Sequence, residues 1–147
     1  EYANGNYDGT GVLDKEKFYN ITGVRYDDML SLDHVDDPLK TNRGNRSSSS
    51  FWAFYTDLLL GNFDLFLTAG IEKAYAARAE EFAALKGGNY GHVFAMSESV
   101  MRVLAIKAPL PAMIRSAYAE KDKVKAEKAV KEIRKLKEEL SRFIGDF

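Results

Sequence analysis

The sequence contains no cysteine, two histidines, three prolines and almost no net charge. Without cysteine there are no disulfides, no thiolate metal sites and no cysteine nucleophile, and the redox compartment stays open. With 21 Lys+Arg against 22 Asp+Glu the net charge is -1, so no bulk attraction to nucleic acid or anionic lipid is expected. No apolar run approaches the roughly 20 residues that a membrane span needs. Neither a nucleic acid nor a membrane is therefore expected as a partner. Residue 1 is Glu rather than Met and no leader pattern precedes it, so the chain reads as an excised or processed piece.

What is present suits one globular domain spanning residues 1–147. Apolar residues make up 46% and charged residues 29% of a 16.5 kDa chain, enough to bury a core. Charge is unevenly spread: residues 1–66 are net -5 and residues 67–147 net +4. A solvated Lys/Glu helix explains that asymmetry better than a docking polarity does.

Residues 1–13, EYANGNYDGTGVL, read as an irregular loop rich in turn formers. Asp14 is placed to cap a short helix to Asn20, with Gly23 as its stop. A second short helix is expected over Tyr26 to Leu32, with Met29, Leu30 and Leu32 as core contacts. Residues 33–50, DHVDDPLKTNRGNRSSSS, form the longest loop signal. The run FWAFYTDLLLGNFDLFL from Phe51 is apolar almost all round and predicts a largely buried helix, capped by Ser50 and broken or bent at Gly61. A further helix is predicted over Ile71 to Lys86, ended by Gly87 and Gly88, and Asn89 is placed to cap the next. Pro109 and Pro111 predict a break, followed by a short helix to about Ala119.

Asp122 then caps a last helix to about Phe143. Its apolar positions Ala126, Ala129, Val130, Ile133, Leu136, Leu140 and Phe143 trace one narrow stripe. The other face offers Glu127–Lys131, Lys128–Glu132, Arg134–Glu138 and Lys135–Glu139 as i,i+4 pairs. No sustained strand pattern occurs. The fold class is therefore all-α, a bundle of about five to seven helices with a long N-terminal loop region.

Few constellations support chemistry. Asn4 to Lys15 echoes a calcium loop, but Gly11 replaces the apolar eighth position and Lys15 the bidentate Glu, so a turn cluster is the better reading. His34 lies among Asp33, Asp36 and Asp37, far from His92, and two distant histidines make a poor ligand set. Ser47 to Ser50 lack a base nearby in sequence and read as linker and cap. The lysine-rich last helix carries glutamates in step and a single aromatic, Phe143, so it reads as a solvated face. Neither a cofactor nor a metal is expected, and no catalytic residue is assigned. The aromatic cluster Phe51, Trp52, Phe54, Tyr55, Phe63 and Phe66 reads mostly as core, though Trp52 or Tyr55 could face a sugar or a partner subunit.

The stretch Tyr55-Thr-Asp57-Leu-Leu-Leu-Gly61-Asn-Phe63-Asp64 resembles the "LYxDxLLGxFD" segment that follows the catalytic barrel in a bacterial branch of glycoside hydrolase family 20, the exo-β-N-acetylhexosaminidases. Phe18 to Leu32 is similar to that family's "F...TG..yddFl.LD" stretch, ending here at Asp33. Asn89 to Phe94 is similar to its "xYGxxF" helix start. Leu104 to Asp122, with Lys107, Arg115, Ala117 and Tyr118, is similar to its "L..Ka.l...lR.aY..gD" stretch. The chain departs from the pattern at Ser50-Phe51-Trp52 and at Pro109 and Pro111. In that family an Asp-Glu pair on the barrel does the chemistry, the Glu as general acid and the Asp orienting the substrate's own acetamido nucleophile.

No Asp-Glu dipeptide occurs in this chain. The resemblance therefore implies a catalytically silent C-terminal helical domain packed on a (β/α)8 barrel of the parent chain, and allows a homodimer. Trp52 and Tyr55 are the candidates for the substrate cleft or an interface. The rival expectation is a free-standing helical interaction module that uses the aromatic segment as its groove. A domain parted from its barrel should expose a broad apolar face, expected near the N-terminal segment.

Overall fold

The computed structural model describes residues 14–33, 53–62, 67 and 69–146, without the side chains of Asp33 and Asp146. The loop at 1–13 with its calcium-like pattern, the loop at 34–50 with His34, Asp36 and Asp37, the cap Ser50, and Phe51, Trp52, Phe63 and Phe66 lie outside the described residues. Among the described residues there are six helices in chain order, besides a helical turn over 53–55, and no strand. They are α1 Lys15–Thr22, α2 Tyr26–Asp33, α3 Ile71–Ala83, α4 Gly91–Lys107, α5 Leu110–Glu120 and α6 Lys123–Asp146. The all-α expectation holds.

Local chemistry sets most of the ends. Asp14 caps α1 by accepting the Lys17 amide at 2.9 Å, and Gly23 stops it at φ 71, its amide donating to the Tyr19 carbonyl at 2.7 Å. Phe18 meets Tyr26 edge to face at 5.4 Å, and Lys15 pairs with Asp27 at 2.6 Å, tying α1 to α2. The predicted third segment is shorter than expected: α3 ends at Ala83 and a series of turns leads to Tyr90. Gly91 opens α4 because a Cβ there would sit 2.0 Å from the Lys86 carbonyl oxygen. The prolines break the chain as predicted, between Lys107 and Leu110. Asp122 caps α6 by accepting the amides of Val124 at 2.9 Å and Lys125 at 3.1 Å, and the helix runs three residues past Phe143.

The main core lies between α3 and α4. Ile71, Tyr75, Ala79 and Phe82 face Phe94, Met101 and Leu104, with Val24 and Ala53 closing it and Met29 and Leu32 packed against it. Leu30, expected beside them, is half-buried outside that cluster. Phe82 and Phe94 meet at a tilt of 46° with centroids 6.1 Å apart. The other side of α4 carries Val103, which joins Leu110 and Leu136 in a smaller core with Leu58, Ile106 and Leu140 at its edge. α4 is thus shared between two packings. A charged bridge crosses the first: the buried Glu98 takes Lys86 at 2.6 Å and Arg102 at 2.7 Å. Burial pushes the Glu98 carboxyl up, but those two hydrogen bonds outweigh it and hold the group below its ordinary value.

Four expectations are corrected. Asn89 does not cap α4; its side-chain amide donates to the Thr22 carbonyl at the end of α1, 2.9 Å away. The apolar run after Phe51 does not make a long buried helix within 53–62. One helical turn over 53–55 gives way at Thr56, because the Asp57 carboxylate takes the amides of Leu59 and Leu60, each at 2.8 Å. The four expected i,i+4 pairs on α6 do not form; instead Lys135 pairs with Glu132 at 2.7 Å and Arg142 with Glu139 at 2.9 Å, both i,i+3, and Lys123 lies 3.9 Å from Glu127, an i,i+4 pair that was not expected. The α6 stripe is only partly covered: Ala129 and Leu136 are buried, while Val130 and Ile133 stay exposed because no described element lies over them.

Candidate functional site

Two adjoining surfaces with exposed apolar side chains stand out. The first is the turn 53–62. Ala53 and Thr56 anchor it in the interior. Between and beyond them Phe54 is 41%, Tyr55 61%, Leu59 70% and Leu60 78% exposed. The expectation that this aromatic cluster is mostly core thus fails for Phe54 and Tyr55, because the chain leaves the helical path at Thr56. Asn62 fixes the turn from the far side by accepting the Asp57 amide at 3.2 Å, and Gly61 follows at φ 61.

Lys107, the last residue of α4, holds the turn to the bundle. Its ammonium donates to the Phe54 carbonyl and lies 5.6 Å from the centre of the Phe54 ring. Burial pushes Lys107 below the ordinary lysine range, opposed by the Asp57 charge. The Asp57 carboxyl is lowered chiefly by the Leu60 and Leu59 amides, with Lys107 adding to it. Charge-assisted bonds therefore help fix the turn's shape, beside the packing of Ala53 and Leu58.

The second surface is a groove of about 670 Å³ between α5 and α6. The two helices form a hairpin through Lys121 and Asp122. The Asp122 amide donates to the Ala117 carbonyl at 3.0 Å and the Lys121 amide to the Tyr118 carbonyl at 3.2 Å, with Lys121 itself at φ 52. Tyr118, Val130 and Ile133 open into the groove, and Leu59 joins it to the turn. The sequence carried a sign of it in the α6 stripe; Tyr118 at the end of α5 carried none.

No group of three or more His, Cys, Asp or Glu that could hold a metal occurs among the described residues, and His92 is exposed on α4. Of the two predicted contact residues, Tyr55 lies on the first surface beside Phe54, ring centres 5.4 Å apart. Trp52 lies outside the described residues. No described helix is long and apolar enough to cross a membrane.

A family model described as the Glycoside Hydrolase 20C C-terminal domain matches residues 27–147. The chain belongs to that family. In this 20C C-terminal domain the matched span takes in all but the first residue of α2, all of α3 to α6, the turn and the groove. Comparison with curated proteins and with solved structures gives no match.

Proposed function

We propose that this 20C C-terminal domain is a non-catalytic accessory part of a family 20 exo-β-N-acetylhexosaminidase, seated on the catalytic (β/α)8 barrel of the same chain. One observation carries this: the turn 53–62, which holds the Tyr55 to Asn62 part of the family-like segment, exposes Phe54, Tyr55, Leu59 and Leu60 together. A domain that ended at its own surface has little use for such a patch. The side chains of Asp57, Asn62 and Lys107 hold the patch in one shape, which lowers the ordering cost of burying it against a partner. Tyr55 is the residue on it best suited to stack on a sugar or a neighbouring subunit.

Leu60→Asp in the intact enzyme is the test. Leu60 is 78% exposed in the domain, so the substitution leaves the domain folded. Loss of one buried leucine contact should cost about 1.5–3 kcal/mol at the barrel interface and lower the enzyme's Tm. An unchanged Tm refutes packing through this face. Tyr55→Ala and Trp52→Ala separate the cleft from the interface. A raised KM for an N-acetylhexosaminide at unchanged assembly puts the residue at the cleft, lost assembly puts it at an interface, and no change in either removes it from both.

A further inference from the structure

The α5–α6 groove has a charge pattern as well as an apolar interior. Its floor is made of small residues, Ala117 from α5 with Ala126 and Ala129 from α6. Its walls are Leu59, Tyr118, Val130 and Ile133, exposed by 70%, 87%, 47% and 36%. Short side chains below and branched or aromatic ones at the sides leave a furrow into which bulky residues of a third helix can pack. The stretch of α6 from Lys123 to Ile133 that lines it measures about 15 Å at about 1.5 Å per residue, room for roughly three helical turns.

The mouth is basic on one side. Lys121 and Lys123 stand at it, and Lys131 and Arg134 line the adjoining hollow that shares Lys123, Ala126 and Val130 with the groove. The acids there are Asp122, whose carboxylate is spent on the first amides of α6, and Glu127, 3.9 Å from Lys123. Farther along α6 the charges offset one another, as in Lys135–Glu132 and Arg142–Glu139. The excess of cations is thus local to the groove.

The geometry points to a defined occupant: an amphipathic helix with an apolar ridge and acidic flanks, contributed by the catalytic part of the same enzyme. This rests on the reading that the domain sits on such a part. Helix-in-groove recognition needs anchors at helical spacing, which Ala126, Val130 and Ile133 provide. A second copy meeting groove to groove would bring two basic rims together, and like charges across an interface are unfavourable.

The test is tyrosine nitration of the intact enzyme, read residue by residue by mass spectrometry, with the urea-unfolded enzyme as the reference for full reactivity. Tyr118 open as described would react within about twofold of the reference; an occupied groove should slow it about tenfold or more, since reactivity follows the open fraction. The double substitution K131E/R134E, both at exposed positions, should return Tyr118 to near-reference reactivity with the helical circular dichroism unchanged. Full reactivity of Tyr118 in the unaltered enzyme overturns the proposal. So does protection that K131E/R134E leaves intact, which would mean an occupant without acidic flanks, and so does protection that rises with enzyme concentration, which would mean a second copy. Tyr55 keeps the two readings apart. Protected Tyr55 with open Tyr118 removes only the groove's occupant, whereas both open removes the barrel seating as well.

Discussion

Gly23 and Asn89 form a joint whose energy can be dissected. Gly23 sits at φ 71, a conformation that costs a residue with a Cβ about 1–2 kcal/mol. A Cβ on Gly23 would also fall 2.2 Å from Nδ2 of Asn89. Asn89 can escape only by rotating away, and doing so breaks its 2.9 Å hydrogen bond to the Thr22 carbonyl. That bond is solvent-exposed, so its loss costs about 0.5–1 kcal/mol. Gly23→Ala should therefore destabilise by about 1.5–3 kcal/mol, a Tm fall of roughly 4–10 °C for a chain of this size. Asn89→Ala should cost only the hydrogen bond. The double variant should cost about what Gly23→Ala does, because the clash and the bond are gone together, leaving a coupling of about 0.5–1 kcal/mol. Urea unfolding of the four proteins measures all three quantities. A Gly23→Ala cost below about 0.5 kcal/mol, or costs that simply add, would refute the reasoning.

Glu98→Gln should destabilise by about 1–2 kcal/mol near neutral pH, less than for a fully buried pair because Lys86 and Arg102 remain 43% and 39% exposed and can turn to water. The Glu98 carboxyl titrates below its ordinary 4.5 in the folded state. Its contribution is therefore complete above that pH and lost as pH falls through the lower folded value. Thermal melts from pH 7 down to 2 should show a shallower acid decline in Glu98→Gln than in the unaltered protein. Thr56 is 3% exposed and its hydroxyl has no hydrogen-bond partner, so Thr56→Val should raise stability by about 1 kcal/mol in urea unfolding. Lys121 occupies the left-handed region at φ 52; Lys121→Gly should gain about 1 kcal/mol, seen as a higher Tm.

The helix ends were legible where the signal and its target are neighbours in sequence. Asp14, Gly23 and Asp122 act on amides and carbonyls within a few residues of themselves, and the structure has them in those roles. Asn89 looked identical to them, yet its partner Thr22 lies 67 positions away, a distance that no local pattern reports. The run after Phe51 misled for a different reason. Hydrophobicity there suits a buried helix, but Asp57 offers its carboxylate to the amides of Leu59 and Leu60, and that competition is settled by a single side chain rather than by the average of the window.

The α6 stripe is the most informative mismatch. Ala126, Ala129, Val130, Ile133 and Leu136 keep the period of a covered face, yet within this domain only Ala129 and Leu136 are buried. A helix that faced water at Val130 and Ile133 would be expected to carry polar residues there, as α6 does on its opposite side. Periodicity follows burial in the assembled molecule, whereas the domain's own packing covers only part of that stripe. The residues in which the two disagree line the α5–α6 groove, and Lys121 and Lys123 stand at that opening with Lys131 and Arg134 on the hollow beside it. Two independent features, apolar spacing and local charge, therefore converge on one face of one helix hairpin, which is what a docked partner with a complementary ridge requires.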